Sequence, residues 1–155
     1  MDVFAHYLWS YGIFFKEKKA WLFGIIGVLP DLVSFGPHFF YSIFNGFSFG
    51  PPTDIPRYIY DIYNFTHSFI IFLTVFFMFY LLLRKYAIFL IPWGIHVLID
   101  IPTHTQRFFP TPFLWPISDF TVSGISWASL WFMVLNYGLI FFLFLFRFIQ
   151  KYKKK

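Results

Sequence analysis

The stretch "FIIFLTVFFMFYLLLRKYAIFLIPWGIHVLIDI", residues 69–101, decides the fold class of this protein. It contains two apolar runs, residues 69–83 and 87–101, and the basic pair Arg84 and Lys85 lies between them. With their flanks, both runs approach the length of about 20 residues that an α-helix needs to cross a bilayer. The pattern therefore predicts two membrane helices joined by a tight basic turn.

Three further apolar runs lie outside this pair, at residues 3–15, 20–35 and 125–149. The last is long enough to span a bilayer, the second needs its flanks, and the first is short enough for a tilted or partly inserted helix. Of the 155 residues, 59% are hydrophobic and 12% are charged, whereas soluble domains carry about 25% charged residues. We therefore expect a single all-α domain, a polytopic helical membrane protein with about four to five membrane-embedded helices.

The connections between the apolar runs divide this domain into smaller parts. The segment 36–66 contains the helix-breaking stretch "FGPPTDIP" and many aromatic residues suited to headgroup depth. The predicted order along the chain is a helical hairpin, an outer loop, a helix pair, a second outer loop, a last membrane helix and a basic tail (residues 1–35, 36–66, 67–101, 102–124, 125–150 and 151–155).

The basic residues predict the orientation of the chain, because lysine and arginine favour the cytoplasmic side of a membrane. An outer amino terminus, five passes and an inner carboxyl terminus would leave Arg57 and Arg107 as the only outer cations. The inner ones would be Lys16, Lys18, Lys19, Arg84, Lys85, Arg147, Lys151, Lys153, Lys154 and Lys155. The net charge of +5 lies beside apolar runs, so it fits anionic lipid rather than nucleic acid.

Polar residues interrupt the second half of the opening stretch at four-residue steps. His96 and Asp100 lie on one helical face and can grip one metal ion, and His104 follows beyond Pro102, where the chain can turn back to supply a third group. The alternative is a hydrogen bond between His96 and Asp100 within the helix. Ionisable groups in a membrane helix are costly and usually serve a site or a pathway, which favours the metal site. The chain has no cysteine, so any metal must use nitrogen and oxygen ligands.

The motif "NFTHS" places His67 directly before the apolar run 69–83. In this position Thr66 or Asn64 can cap the helix, and His67 alone is explained as a residue at a helix start.

Two more motifs carry polar residues at the ends of apolar runs. In "GVLPDL", Pro30 ends an apolar helix and Asp31 follows it, which by itself fits a cap of the next turn. In "MDVFAH", His6 lies one turn beyond Asp2 and fits an interfacial histidine. Taken together, the motifs supply a set of histidines and carboxylates that the predicted topology brings to the outer side.

In this order the motifs "MDVFAH", "GVLPDL", "THS", "HVLID" followed by "PTH", and "FLWPISD" resemble those of the membrane-bound, LexA-regulated type of predicted metal-dependent hydrolases. The likeness runs from Met1 to about Gly124. It implies a helical membrane protein with a divalent metal site, zinc or else manganese, and a remote kinship to the fold of zinc-dependent phospholipase C and related nucleases. The metal ligands that the resemblance implies are His6, Asp31, His67, His96 and Asp100.

This chain departs from the usual family pattern in two places. Before Thr66 it has "YNF" where family members often carry a further histidine, and the stretch "IPTHT" adds His104. The number of ligands therefore stays open.

The expected function is hydrolysis of a phosphoester in a lipid or membrane-near substrate, at the outer face of a prokaryotic cytoplasmic membrane. A bound metal ion lowers the pKa of a coordinated water to about 7. Asp119 or His104 would complete the metal shell or act as general base, and Arg107 and Arg57, the outer cations, would hold a phosphate. The expected partners are membrane lipid and a lipidic or phosphorylated small-molecule substrate.

Two other functions use the same residues. One is transport of a divalent metal or of protons, and the other is a non-catalytic structural membrane protein. A transport pathway needs polar residues across the whole bilayer. The sequence predicts polar residues at one end of each segment and no acid halfway along a helix, which favours hydrolysis.

Overall fold

The computed structural model describes residues 1–44 and 55–153, which form six α-helices and one 3-10 helix. The α-helices are α1 (Val3–Ile13), α2 (Ala20–Phe44), α3 (Arg57–Thr66), α4 (Phe69–Leu83), α5 (Ile91–Thr103) and α6 (Leu130–Tyr152). No β-strand occurs among the described residues, which confirms the all-α class. Residues 45–54 of the expected outer loop and residues 154–155 of the basic tail lie outside the described residues.

The fourth helix has the bounds that its apolar run predicts, but a different residue caps it. The hydroxyl of Ser68 accepts a hydrogen bond from the backbone N–H of Ile71 at 3.1 Å, so neither Thr66 nor Asn64 is the cap. Thr66 instead ends α3, and its hydroxyl lies 2.9 Å from Nδ1 of His67. The residue before the histidine is therefore available to orient the ring.

The second helix is longer than its apolar run predicts. It continues through Pro30 to Phe44, because a membrane helix tolerates proline where neighbouring groups satisfy the backbone carbonyls that the proline frees. The carbonyl that Pro30 leaves without its usual N–H donor is that of Ile26, four residues earlier. The next carbonyl, that of Gly27, accepts a hydrogen bond from Nδ1 of His96 at 2.7 Å, so α5 packs against α2 at this turn and α2 continues beyond the proline. Asp31 therefore lies near the middle of α2. This corrects two expectations, that Pro30 ends the helix and that no acid lies halfway along a helix.

Residues 69–101 fold back on themselves as a pair of helices. The rings of Phe72 in α4 and Trp93 in α5 have centroids 5.7 Å apart, whereas a straight helix would place these residues about 30 Å apart. The chain reverses at Leu83, whose φ of −137° and ψ of 47° are not helical. A 3-10 helix, Arg84–Leu90, then leads into α5.

The carboxyl end of α5 decides where α6 can begin. Pro102 does not interrupt the helix, which continues to Thr103. The backbone N–H groups of Ile125 and Trp127 donate to the carbonyls of Pro102 and Thr103, at 2.8 and 3.1 Å. They satisfy carbonyls that a helix end leaves without an intrahelical partner. Because this segment runs beside the end of α5, α6 begins at Leu130 rather than at residue 125.

Three helical stretches are long and apolar enough to cross a membrane: Ala20–Phe44, Phe69–Thr103 and Leu130–Lys151. This is fewer than the four to five embedded helices expected. The first helix has 11 residues, and the second stretch is the folded-back pair. Each half of that pair, at about 1.5 Å per residue, is shorter than the bilayer core of about 30 Å. The helices expose large apolar side chains, which indicates a membrane protein.

The first helix lies close against α2 and brings its amino-terminal end to α5. A Cβ added to Gly27 of α2 would overlap the hydroxyl of Ser10 in α1, so the two backbones can approach closely because residue 27 has no side chain. One turn before Ser10, the ring of His6 stacks on that of His96, with centroids 3.7 Å apart. The fold thus joins residues that are distant in the sequence.

Candidate metal centre

Four buried side chains form a compact group at the meeting point of α2, α5 and the junction between α3 and α4. One ligand atom from each of them lies within 4.8 Å of all the others. The exposed fraction of the side chain is 8% for Asp31 and 0% for the other three. The residues are Asp31, His67, His96 and Asp100.

The two histidines of this group face each other. Their Nε2 atoms lie 3.0 Å apart. Nε2 of His67 lies 3.4 Å from Oδ1 of Asp31 and 3.6 Å from Oδ2 of Asp100. Nε2 of His96 lies 3.2 Å from Oδ2 of Asp100 and 3.8 Å from Oδ1 of Asp31. Two nitrogens and two carboxylate oxygens therefore converge on one point.

The hydrogen bonds of the two Nδ1 atoms decide which nitrogen atoms are free to bind a metal. Nδ1 of His96 lies 2.7 Å from the Gly27 carbonyl, which only accepts, so this nitrogen donates. Nδ1 of His67 lies 2.9 Å from the Thr66 hydroxyl and 3.3 Å from the Tyr63 carbonyl, so it also donates. In a neutral imidazole the lone pair then lies on Nε2. Two lone pairs at 3.0 Å repel each other unless a cation or a proton lies between them.

Asp100 provides a second indication of a cation. Its Oδ2 atom is buried and has no hydrogen-bond partner among the described residues. Buried polar atoms are nearly always hydrogen-bonded, and an exception is explained when the atom binds an ion. The nitrogen and oxygen donors, with histidine Nδ1 atoms held by backbone carbonyls or a hydroxyl, match the usual surroundings of zinc or manganese. The residues present therefore fit a divalent metal.

The other oxygen of Asp100 faces a different set of groups. Oδ1 lies 3.0 Å from Nε2 of His6 and 3.5 Å from Nε2 of His104. The amino group of Met1 contacts the same oxygen and lies 3.0 Å from Nε2 of His104. Nδ1 of His104 donates to the Phe109 carbonyl at 2.7 Å, which leaves its Nε2 free to accept. The Asp100 carboxylate thus connects two groups of potential ligands.

Burial holds two of these histidines in the neutral form. It lowers the pKa of His6 to about 4, although the nearby Asp100 carboxylate opposes the shift. Burial also lowers the pKa of His67, against the opposing hydrogen bond to Asp31. Neutral imidazole is the form that binds a metal. At neutral pH the two rings are therefore ready to act as ligands.

The structure brings together most of the residues that the sequence analysis selected. Asp31, His67, His96 and Asp100 form the four-residue group, and His6 and His104 adjoin it through Asp100. The sequence analysis missed the residues that orient the histidines, Thr66, Tyr63 and Gly27. The sequence did contain two indications of these contacts: a threonine directly before the histidine in "THS", and a glycine one turn before Asp31.

Two residues predicted to be catalytic lie outside this group. Arg107 and Asp119 are exposed on the loop after α5, and neither makes a hydrogen bond or ion pair with another described residue. The inner side of the loop is occupied by His104, Phe109 and Thr111, which are buried. The loop therefore directs Arg107 and Asp119 outward, and their catalytic roles stay predictions.

On the opposite side of the group, aromatic rings fill the interior. The ring of Phe23 stacks on Phe14 and on Phe89, with centroid distances of 4.3 and 4.9 Å. These residues lie about two helical turns from His6, Asp31 and His96 along their helices. The four-residue group, Asp31, His67, His96 and Asp100, called the cluster below, is thus bounded by an apolar layer toward that end of the molecule.

Comparisons of this chain with protein-family models, with curated proteins and with solved structures find no match. The resemblance to membrane-bound metal-dependent hydrolases therefore stays a prediction that rests on the sequence motifs.

Proposed function

We propose that this protein is a membrane-bound, metal-dependent hydrolase that acts on a phosphoester in a lipid or membrane-near substrate. One observation carries the proposal: both oxygens of the buried Asp100 carboxylate face imidazole nitrogens, Oδ2 those of His67 and His96, and Oδ1 those of His6 and His104. A structural metal site is complete with four ligands. Asp31, His67, His96 and Asp100 already make four possible ligands, so His6 and His104 are additional groups beside the metal position. This surplus supports a catalytic role.

Asp31, His67, His96 and Asp100 would hold the metal. A divalent ion in this position would lower the pKa of a coordinated water to about 7 and polarise a phosphoryl oxygen. The chain itself supplies proton transfer, because Nδ1 of His104 is fixed on the Phe109 carbonyl and its Nε2, which faces the amino group of Met1 at 3.0 Å, carries the lone pair that accepts a proton. His104 is therefore the proposed general base, and the Tyr63 hydroxyl, which donates to the same carbonyl at 2.9 Å, fixes the position of this acceptor.

Charge and location support a lipidic substrate. Asp31, His96 and Asp100 lie on candidate spans that expose apolar side chains, so lipid is close to the cluster. Arg57 and Arg107 are exposed and are the proposed contacts for a phosphate. We place the cluster toward the outer face of a prokaryotic cytoplasmic membrane and the carboxyl terminus in the cytoplasm, because the basic residues are then on the inner side.

Transport of a divalent metal is the second candidate, and the position of Asp31 favours it. An ionisable residue near the middle of a membrane helix often marks a pathway. The stacked rings of Phe14, Phe23 and Phe89 oppose this function, since they place an apolar layer between the cluster and that end of the molecule. We therefore rank hydrolysis first.

Elemental analysis and a phosphodiesterase assay test the proposal together. The wild-type protein, purified in detergent, is expected to carry about one or two equivalents of zinc or manganese and to hydrolyse bis(p-nitrophenyl) phosphate or a phospholipid. Asp100→Asn should lose both properties, whereas Glu17→Gln, in the exposed turn after α1, should keep them.

Other outcomes would support a different function. Bound metal without hydrolysis, together with metal uptake into proteoliposomes, would support transport. Bound metal with neither activity would indicate a structural site. The absence of metal from the wild type, with unchanged stability of Asp100→Asn, would contradict the metal centre itself.

A further inference from the structure

A groove on the side of the molecule lies between α2, α3 and α5. Its volume is about 550 Å³, within the range of about 300–1,000 Å³ that is usual for ligand pockets. Apart from Asp61 and Thr66, its walls are apolar side chains and Pro30. We call this feature the side groove; its walls include Leu29, Val33, Phe65, Leu90 and Trp93.

The side groove opens onto the apolar surface of a candidate membrane span. Leu29 and Val33 are 41% and 47% exposed on α2, and Phe65 is 49% exposed on α3. In a bilayer this surface contacts hydrocarbon rather than water. A groove of this kind is therefore filled by hydrocarbon, from a lipid or from another helix.

The inner end of the side groove lies beside the candidate metal centre. The hydroxyl of Thr66 lies 2.9 Å from Nδ1 of His67, and Trp93 donates to the Thr66 carbonyl at 2.6 Å. Pro30, on the opposite wall, directly precedes Asp31, the most exposed of the four proposed metal ligands. Only the residues that orient or precede two ligands separate the groove from the cluster.

The rim of the side groove is polar along α3. This helix buries Ile59 and Tyr63 and exposes Arg57, Tyr60 and Asp61. Such a division of polar and apolar faces is typical of a helix that lies at the depth of lipid headgroups. Asp61 lines the groove, and Arg57 lies one helical turn before it, outside the lining. The α3 edge therefore carries one charge of each sign, which complements the phosphate and the amine of a zwitterionic headgroup.

We propose that the side groove seats one hydrocarbon chain of a phospholipid, with the phosphate toward α3. The apolar walls fit the hydrocarbon chain, the opening faces the bilayer, and the neighbouring charges of Arg57 and Asp61 on α3 fit a zwitterionic headgroup. The further step, that this lipid is the substrate and that its phosphoester reaches the cluster past Thr66 and Asp31, rests on the proposed function. The two parts are tested by different measurements.

Native mass spectrometry of protein extracted from phospholipid vesicles tests whether the side groove binds the hydrocarbon chain of a phospholipid. The wild type is expected to retain one lipid, and Leu29→Trp, which fills the groove, should lose it. Val33→Trp, at the outer edge, is a second filling variant that disturbs the interior less. The matched control is Val134→Trp on α6, where residue 134 is 66% exposed and far from the groove in the fold; it should retain the lipid.

The alternatives give different masses. A dimer without lipid, broken by Leu29→Trp, would show that a second copy fills the groove and would overturn the proposal. A wild-type monomer without lipid would also overturn it. Thermal unfolding of each variant excludes a general loss of the fold as the cause of lipid loss.

Hydrolysis assays test whether the phospholipid bound in the side groove is the substrate. Filling the groove should lower phospholipid hydrolysis by at least about tenfold, because the excluded chain no longer contributes its burial to binding. Hydrolysis of bis(p-nitrophenyl) phosphate, which has no long chain, should stay within about twofold of the wild type. Equal losses on both substrates would overturn the substrate role. If the wild type hydrolyses neither substrate, the proposed function fails. Lipid binding by the side groove is still decided separately, by whether the purified protein retains a phospholipid.

Discussion

The Nε2 atoms of His67 and His96 lie 3.0 Å apart, while both Nδ1 atoms are engaged with oxygen atoms of the surrounding chain. This relationship joins the start of α4 to the interior of α5. Two neutral rings with both Nδ1 atoms donating cannot form a hydrogen bond between their Nε2 atoms, but the two Nε2 lone pairs can bind one metal ion.

The first prediction concerns the hydroxyl that orients His67. Thr66→Val keeps the shape of the side chain but removes the acceptor 2.9 Å from Nδ1 of His67. Loss of such a supporting contact should weaken zinc affinity by about 10–100-fold. The measurement is competition with a chromophoric chelator, using purified protein in detergent.

The control is Thr74→Val, which removes an exposed hydroxyl that donates to its own helix at 2.9 Å. Its zinc affinity should equal that of the wild type. An equal affinity in Thr66→Val and the wild type would show that the hydroxyl has no role in the metal centre.

The second prediction concerns removal of the metal. Zinc binds the folded protein and should therefore raise its free energy of unfolding, by about 2.7 kcal/mol when free zinc is 100 times the Kd. Without metal, Asp31 and Asp100 are two buried carboxylates of one cluster, and the amino group of Met1 contacts Asp100 but not Asp31. Thermal unfolding with zinc and with a chelator measures the difference.

Asp100→Asn should show no stabilisation by zinc. A wild-type unfolding temperature that is the same in zinc and in chelator would count against a metal in this position.

The third prediction concerns the close approach of α1 and α2. Gly27→Ala places a methyl group on the hydroxyl of Ser10 and should destabilise the protein by about 1–3 kcal/mol. The same change at Gly138 of α6 meets no atom within 4 Å and should stabilise the helix by about 0.5–1 kcal/mol. Unfolding in a denaturing detergent measures both.

Glycine at residue 10 of α1 itself costs about 0.5–1 kcal/mol, so Gly27→Ala is also measured in a Ser10→Gly background. There it should cost much less than in the wild type, because the absent side chain makes room for the methyl group. An equal cost of Gly27→Ala in both backgrounds would assign the effect to α2 itself rather than to the contact with Ser10.

The fourth prediction concerns the orientation of the chain, which its lack of cysteine makes easy to test. A single cysteine at Gln106, exposed on the loop after α5, should react with a membrane-impermeant maleimide added to intact cells. A cysteine at Glu17 should react only after the membrane is permeabilised. The reverse pattern would place the cluster toward the cytoplasm and would contradict the proposed outer site.

Local sequence patterns were sufficient for several features of this protein. Hydropathy predicts the all-helical class and the membrane character, because an apolar helix in lipid must satisfy its backbone hydrogen bonds internally. The bounds of α4 follow from one apolar run. The four-residue steps from His96 through Asp100 to His104 place the three side chains on adjoining turns, which depends only on the helical period.

Other features depend on contacts between distant segments, and only the tertiary structure decided them. Asp31 joins the cluster from the middle of α2 because the helix continues through Pro30. At this point the bond from Nδ1 of His96 to the Gly27 carbonyl, one turn before Asp31, joins α5 to α2. The same bond selects the nitrogen atom of His96 that faces the cluster. Residue type and spacing determined which groups could bind a metal; the packing of α1, α2 and α5 determined which atoms meet, since atoms so far apart in the sequence are joined only by the fold.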